Sequence, residues 1–175
     1  MKSYVLIFGV MLVSLAIASL WDKISWIKNS VHAVLNPSFG ALLDWNLTIG
    51  MLIIVAIISL LTTLVQKYAT DQKALKEVKA EQKILREEMN KFKDNPGKMM
   101  ELNKKSLELI PKTMHLSMRS IVYTGVPFIL LFRWFYDYFA LVGEYRFLGF
   151  LSWFWFYLIF VIVFSSVFKK VLKVE

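Results

Sequence analysis

Residues 67–100 read KYATDQKALKEVKAEQKILREEMNKFKDNPGKMM, and this polar stretch sets the architecture. It lies between apolar stretches long enough to cross a bilayer. Leu75, Val78, Leu85, Met89 and Phe92 alternate in threes and fours, with Gln82 in the one polar slot. That spacing is the a/d seam of a coiled coil over about three heptads. Asp94-Asn95-Pro96-Gly97 breaks it, because Pro lacks a donor and Gly tolerates positive φ. The seam is expected to resume as Met100, Asn103, Leu107, Ile110 and Met114. A helix, a tight turn and a returning helix follow: a polar hairpin growing out of a membrane domain, its first arm reaching roughly 40 Å at 1.5 Å per residue.

Composition agrees. The 175 residues are 57% hydrophobic and 19% charged, with a mean hydropathy of +0.54, more apolar than a soluble domain. Without cysteine there is no disulfide and no thiolate metal site. The net charge is +8, and residues 67–119 carry 13 Lys or Arg against 8 Asp or Glu. Such an excess beside membrane spans marks the cytosolic side.

Outward from the hairpin, residues 45–66 are charge-free and form the first core span. Residues 118–139 form the second. Its charge-free part, 120–132, is too short to cross, so the span continues past Arg133. Arg133 and Asp137 are four apart and are expected to pair with each other. Pro127 frees the carbonyl of Tyr123, and a kink is expected there. Residues 140–146 are an outer loop, 147–168 a third core span and 169–175 a basic cytosolic tail. Upstream, 22–44 read as an outer amphipathic helix, with Ile24, Ile27, Val31, Val34 and Leu35 on one stripe, ended by Pro37 and Gly40. Residues 1–21 are a signal anchor, a full span or a cleaved signal peptide, Ala16-Ile17-Ala18 fitting a cleavage site. The hairpin is then 67–117. Trp21, Trp26, Trp45, Trp134, Trp153 and Trp155 all fall at or beyond the outer ends of the spans, as an aromatic belt would.

Polar residues gather at one depth. Ser59, Thr62, Thr63 and Gln66 share a face of the first span. Arg119, Ser120 and Thr124 enter on the second, and Ser165 and Ser166 leave on the third. Polar groups facing lipid cost free energy, so they turn inward. A wet hollow open to the cytosol is expected. Hydroxyl pairs can also merely join helices, and for Ser165 and Ser166 both roles stand open. Arg119 also suits an interfacial anchor. Lys76, Lys83 and Arg86 on the hairpin, with Met99 and Met100, are candidate contacts for a ribosome or a client. Met89, Met114 and Met118 bring further flexible thioethers to the same region. No metal set, phosphate loop or nucleophile elbow is visible, so no cofactor and no enzymatic activity are expected.

The order of elements resembles the YidC/Oxa/Alb insertase superfamily, and within it the archaeal YidC-like proteins, kin of the third subunit of the ER membrane protein complex. SLLTTLVQKYATDQ (59–72), DNPGK (94–98) and MRSIVYTGVPFILLFRWFYDYF (118–139) carry the likeness, over about residues 35–173. The resemblance implies an all-α insertase of the cell membrane that passes hydrophobic segments from the ribosome into the bilayer without nucleotide hydrolysis. Its implied partners are lipid, nascent hydrophobic polypeptides, the ribosome and the Sec translocon. One departure stands out: bacterial members carry an Arg in the groove on the first core span, and residues 45–66 have none. The other function open to this sequence is a structural or assembly protein that oligomerises through the hairpin. A channel would need a polar line through both leaflets, which the outer halves do not supply.

Overall fold

The computed structural model describes the backbone of residues 2–174 and the side chains of residues 8–118 and 120–174. It is all-helical, as expected. The elements are α1 (Lys2–Leu20), α2 (Ser25–Leu35), a π-helical turn (Asn36–Gly40), α3 (Ala41–Trp45), α4 (Leu47–Ala69), α5 (Gln72–Lys91), α6 (Pro96–Val142) and α7 (Trp153–Leu172). Among the described residues, three helical segments are long and apolar enough to cross a membrane: Leu47–Ala69, Ser120–Val142 and Trp153–Leu172. Phe8–Leu20 and Ser25–Trp45 form a further apolar pair, bent by 91°. α6 runs 47 residues through Pro111 and Pro127, so one helix is both the hairpin's return arm and a span.

Local chemistry sets the breaks. Asn46, Asp71 and Asn95 each accept a backbone N–H three residues on, from Ile49 (2.9 Å), Ala74 (3.0 Å) and Lys98 (3.2 Å). These caps start α4, α5 and α6, and Pro96 takes the first helical position, where its missing donor costs nothing. Gly143, at φ 85°, ends α6. The expected single helix over 22–44 is corrected. Pro37 and Gly40 do not end it; the chain passes through the π turn and continues as α3. Pro37 sits at the start of that turn, where no N–H is required of it.

The hairpin register is corrected on one arm. Leu75 and Leu85 of α5 are buried, with Val78, Met89 and Phe92 packed beside Leu85. On α6 the buried partners are Leu102 and Leu109, and Gln82 Nε2 donates to Thr113 Oγ1 at 3.3 Å. Met100, Leu107, Ile110 and Met114 are exposed. The return seam therefore lies one residue off the expected one, about 100° around the helix. Both stripes carry apolar residues, so spacing alone did not choose between them.

The core sits toward the loop that joins α6 to α7. Met51, Ile54, Val55 and Ile58 of α4 meet Leu131, Trp134, Phe135 and Phe139 of α6, Phe147 of the loop, and Phe156 and Tyr157 of α7. Rings fill the space between α6 and α7: Phe139 stacks on Trp153 at 5.6 Å and Phe147 on Phe156 at 4.5 Å. Such pairs contribute about 0.5–1.5 kcal/mol each beyond their burial. The belt expectation fails for two of the six tryptophans. Trp21 and Trp134 are buried, their indole N–H groups donating to Asp137 and Asn36, both at 2.8 Å.

Candidate functional site: a membrane groove

A groove of about 490 Å³ opens between α2, α4 and α6. Val31, Val34 and Leu35 come from α2, Leu61, Thr62 and Val65 from α4, and Tyr123, Thr124, Pro127 and Leu131 from α6. The helical period explains the set. Ile58, Thr62 and Val65 recur at one face of α4, and Tyr123, Pro127 and Leu131 at one face of α6. The walls are aliphatic and aromatic, with Ser30, Thr62 and Thr124 set among them and Tyr123 bringing a phenol. Thr62 Oγ1 donates to the carbonyls of Ile58 (2.8 Å) and Ser59 (3.1 Å). Thr124 Oγ1 donates to that of Ser120 at 2.9 Å. Pro127 has no N–H to return to Tyr123, so an acceptor is released in the wall.

The expected wet hollow is not formed as a gathering of all the singled-out hydroxyls. Thr62 and Thr124 line the groove; the others do not. Ser59 and Thr63 are buried, Thr63 Oγ1 donating to the Ser59 carbonyl at 2.6 Å. Ser166 is exposed and bonds back to Ile162 at 2.7 Å. Ser165 and Ser120 are half-buried outside the groove. Gln66 is half-buried, and its carbonyl accepts from Gln72 Nε2 at 2.9 Å. The Arg119 side chain lies outside the described residues. On the hairpin, Lys76, Lys83, Arg86 and Met100 are exposed and Met99 is half-buried. The Lys83 ammonium is 4.0 Å from Glu87.

The expected Arg133–Asp137 pair does not form. Arg133 reaches Asp22 at 3.3 Å. Asp137 instead accepts from Trp21 Nε1 at 2.8 Å, with His32 Nε2 at 3.1 Å and the Lys28 ammonium at 3.3 Å. Lys28 also meets Asp22 at 2.8 Å, and that carboxylate raises the lysine's pKa above its ordinary value. With Trp134–Asn36 and the Tyr138 hydroxyl on Asp44, these contacts fasten the α1–α2 elbow, the π turn and α3 to the loop end of α6. They hold α2, one wall of the groove, against α6. The partners lie about a hundred positions apart in the chain, and no local spacing signals them.

A second cavity, of about 540 Å³, separates α1 from α6 between Val10 and Leu15 on one side and Ile121 and Ile129 on the other. The two helices run parallel, Val10 level with Gly125 and Trp21 with Asp137. Among the described residues of α1 only Ser14 is buried. No group of three or more His, Asp or Glu able to hold a metal ion occurs among the described residues.

Neither a curated protein nor a solved structure matches the chain. The family described as integral membrane protein EMC3/TMCO1-like matches residues 33–175, from the last turn of α2 onward, and so covers all of the groove's lining except Ser30 and Val31, but not α1. This chain therefore belongs to the EMC3/TMCO1-like family of integral membrane proteins, within the broader Oxa1/YidC/Alb3 insertase superfamily.

Proposed function

We propose that the protein is an insertase that moves hydrophobic segments into the bilayer through the groove between α2, α4 and α6, without nucleotide hydrolysis. The observation that carries this is the groove itself: an apolar wall of three helices, dotted with the hydroxyl-bearing residues Ser30, Thr62, Tyr123 and Thr124, at the foot of a basic hairpin. An apolar segment resting there trades lipid for protein contacts at little cost. A polar turn beside it meets Thr62, Thr124 and the Tyr123 carbonyl rather than acyl chains.

In this proposal the hairpin (67–117) and the tail (169–175) face the cytosol, by the excess of Lys and Arg. The protein is of the archaeal YidC-like type and sits in the cell membrane. Lys76, Lys83 and Arg86 meet ribosomal phosphate, and Met99 and Met100 the emerging client. The Sec translocon is a further partner. Photo-cross-linking from Thr62 and Thr124 tests the reading. Both should label a nascent apolar segment, while Ser166, on a different helix and exposed, should not. Labelling from Ser166 alone would refute it.

One observation favours a second reading, assembly through the hairpin. Met100, Leu107, Ile110 and Met114 form an exposed apolar stripe on α6. If copies pair there, Leu107→Asp should turn an oligomer into a monomer in detergent; a wild-type monomer excludes it.

A further inference from the structure

A second face of α6 is occupied by the chain itself. α1 is a helix of 19 residues, uncharged after Lys2, and of the length a bilayer asks of a crossing segment. Its apolar residues are spread evenly around the axis, so no stripe commits it to a neighbour. Among the described residues, α6 is the one helix it packs along. Phe8 and Leu12 remain exposed, and a Cβ added at Gly9 would meet nothing within 4 Å. The cavity of about 540 Å³ interrupts the contact with α6. That space holds roughly one turn of a helix 10 Å across. Packing rather than water drives helices together inside a bilayer, and a gap forfeits it. Close contact is made at Val10, whose Cγ1 lies 3.2 Å from where a Gly125 Cβ would stand. It is made again at the 91° elbow, where the Trp21 indole donates to Asp137 at 2.8 Å.

This cavity adjoins the groove. Thr124 and Phe128, one turn apart on α6, line both. To one side of them α6 turns Tyr123, Pro127 and Leu131 to the groove, and to the other Ile121, Gly125 and Ile129 to α1. Resting on the insertase reading, we infer that the face of α6 beneath α1 is a second docking face for the client. The client is an uncharged apolar helix that leaves the groove across Thr124 and Phe128, takes the place of α1 and passes on to lipid. α1 is its resident stand-in, hinged at the elbow. The occupant is read from what sits there now: an apolar helix without charge or stripe already seats on this face. Gly125 allows the close approach by which helices meet in lipid. The exchange is close to even, because α1 gives up protein for lipid while the client does the reverse, and neither is exposed to water. A client helix with a charge in its middle has no such balance.

The chain has no cysteine, so Val10→Cys with Gly125→Cys gives a single pair. The two are close enough for a disulfide, whose Cβ atoms sit about 3.5–4.5 Å apart. The experiment uses the full chain in phosphatidylcholine vesicles and a client with one uncharged apolar span and a short flank. Labelling from a photo-cross-linker at Thr62 reads entry into the groove. Protease protection of the flank, in the same protein without the cross-linker, reads insertion. Reduced, the protein should do both. Oxidised, it should still label the client from Thr62 while protection falls to the level of empty vesicles, and dithiothreitol should restore it. Should the double variant not fold, a photo-cross-linker at Ser14 reads the same exchange: its labelling of α6 should fall as client is added. Equal protection by oxidised and reduced protein overturns the inference. So does loss of Thr62 labelling on oxidation, which makes α1 a guard of entry instead. Labelling of α6 from Ser14 that client leaves unchanged overturns it too, as does purified protein whose first residue lies beyond Leu20. Neither Thr62 labelling nor protection with the cysteine-free protein overturns the insertase reading and this inference together.

Discussion

Asp137 is the residue whose loss the structure predicts most sharply. Its side chain is only 16% exposed, and three donors converge on it from α1's end and from α2. In Asp137→Ala the Trp21 indole N–H, on a residue 1% exposed, loses its acceptor and has no water to replace it. An orphaned buried donor costs about 1–3 kcal/mol. Lys28 keeps Asp22 and is a third exposed, so its share is discounted by solvent screening to roughly 0.5 kcal/mol. His32 adds up to about 1 kcal/mol for a hydrogen bond lost in a half-buried setting. The total is about 2–4 kcal/mol. For a chain of this length that corresponds to roughly 5–12 °C in Tm, read by tryptophan fluorescence in detergent. Asp22→Ala is the matched control. Its side chain is 69% exposed, so its two ion pairs should contribute below about 1 kcal/mol. Equal shifts for the two variants would refute the reasoning, because the difference rests wholly on burial of the Trp21–Asp137 bond.

Leu109→Ala should destabilise the hairpin by about 2–4 kcal/mol, since Leu109 is buried against α5, whereas Leu107→Ala should stay within about 0.5 kcal/mol; hydrogen exchange on α5 reads both. Gly50→Ala places a Cβ 2.2 Å from the Leu42 carbonyl oxygen, so α3 and α4 must part, at about 2–3 kcal/mol. Gly125→Ala meets only a flexible Val10 side chain at 3.2 Å and should melt within about 1 kcal/mol of wild type. Lys105 bonds Glu101 at 2.9 Å and draws its carboxyl below the ordinary value. The pair therefore supports the hairpin above the unfolded carboxylate's pKa and stops doing so as pH falls through the lowered one. Carbon-13 titration should place the Glu101 midpoint below the usual Glu range, and Lys105→Met should return it there.

Much of the fold was legible because membrane spans and hairpins are written in local patterns. Charge-free runs mark α4 and α7, and Asp94-Asn95-Pro96-Gly97 marks the turn, with Asn95 as cap and Pro96 at the first helical position. What failed was whatever depends on the angle at which a helix faces its neighbour. On the return arm, Met100, Leu107, Ile110 and Met114 make as regular a stripe as the one containing Leu102 and Leu109. Only contact with α5 selects the second. The loop-end network was hidden for the same reason. Arg133 and Asp137 are one turn apart and so looked like a pair. Once the α1–α2 elbow is present, though, Trp21, Lys28 and His32 supply Asp137 with donors, and Arg133 turns to Asp22.

The site divides along the same line. Thr62 and Thr63 are neighbours in sequence and had equal claim to a polar face, yet one lines the groove and the other is buried away from it. A step of one residue turns the side chain by about 100°, and a groove one helical turn in size cannot accept both. Spacing along the chain puts Thr62 and Thr63 at one level of α4, while the choice between them belongs to helix rotation. That rotation is fixed by the packing of Met51, Ile54 and Val55, in the other half of α4, and of Ile58 at the groove's edge. It follows that overpacking at Ile54, far from either groove hydroxyl, should change which of Thr62 and Thr63 labels a client. A cross-linking pattern that ignores Ile54→Trp would show that the groove's polar face is set locally instead.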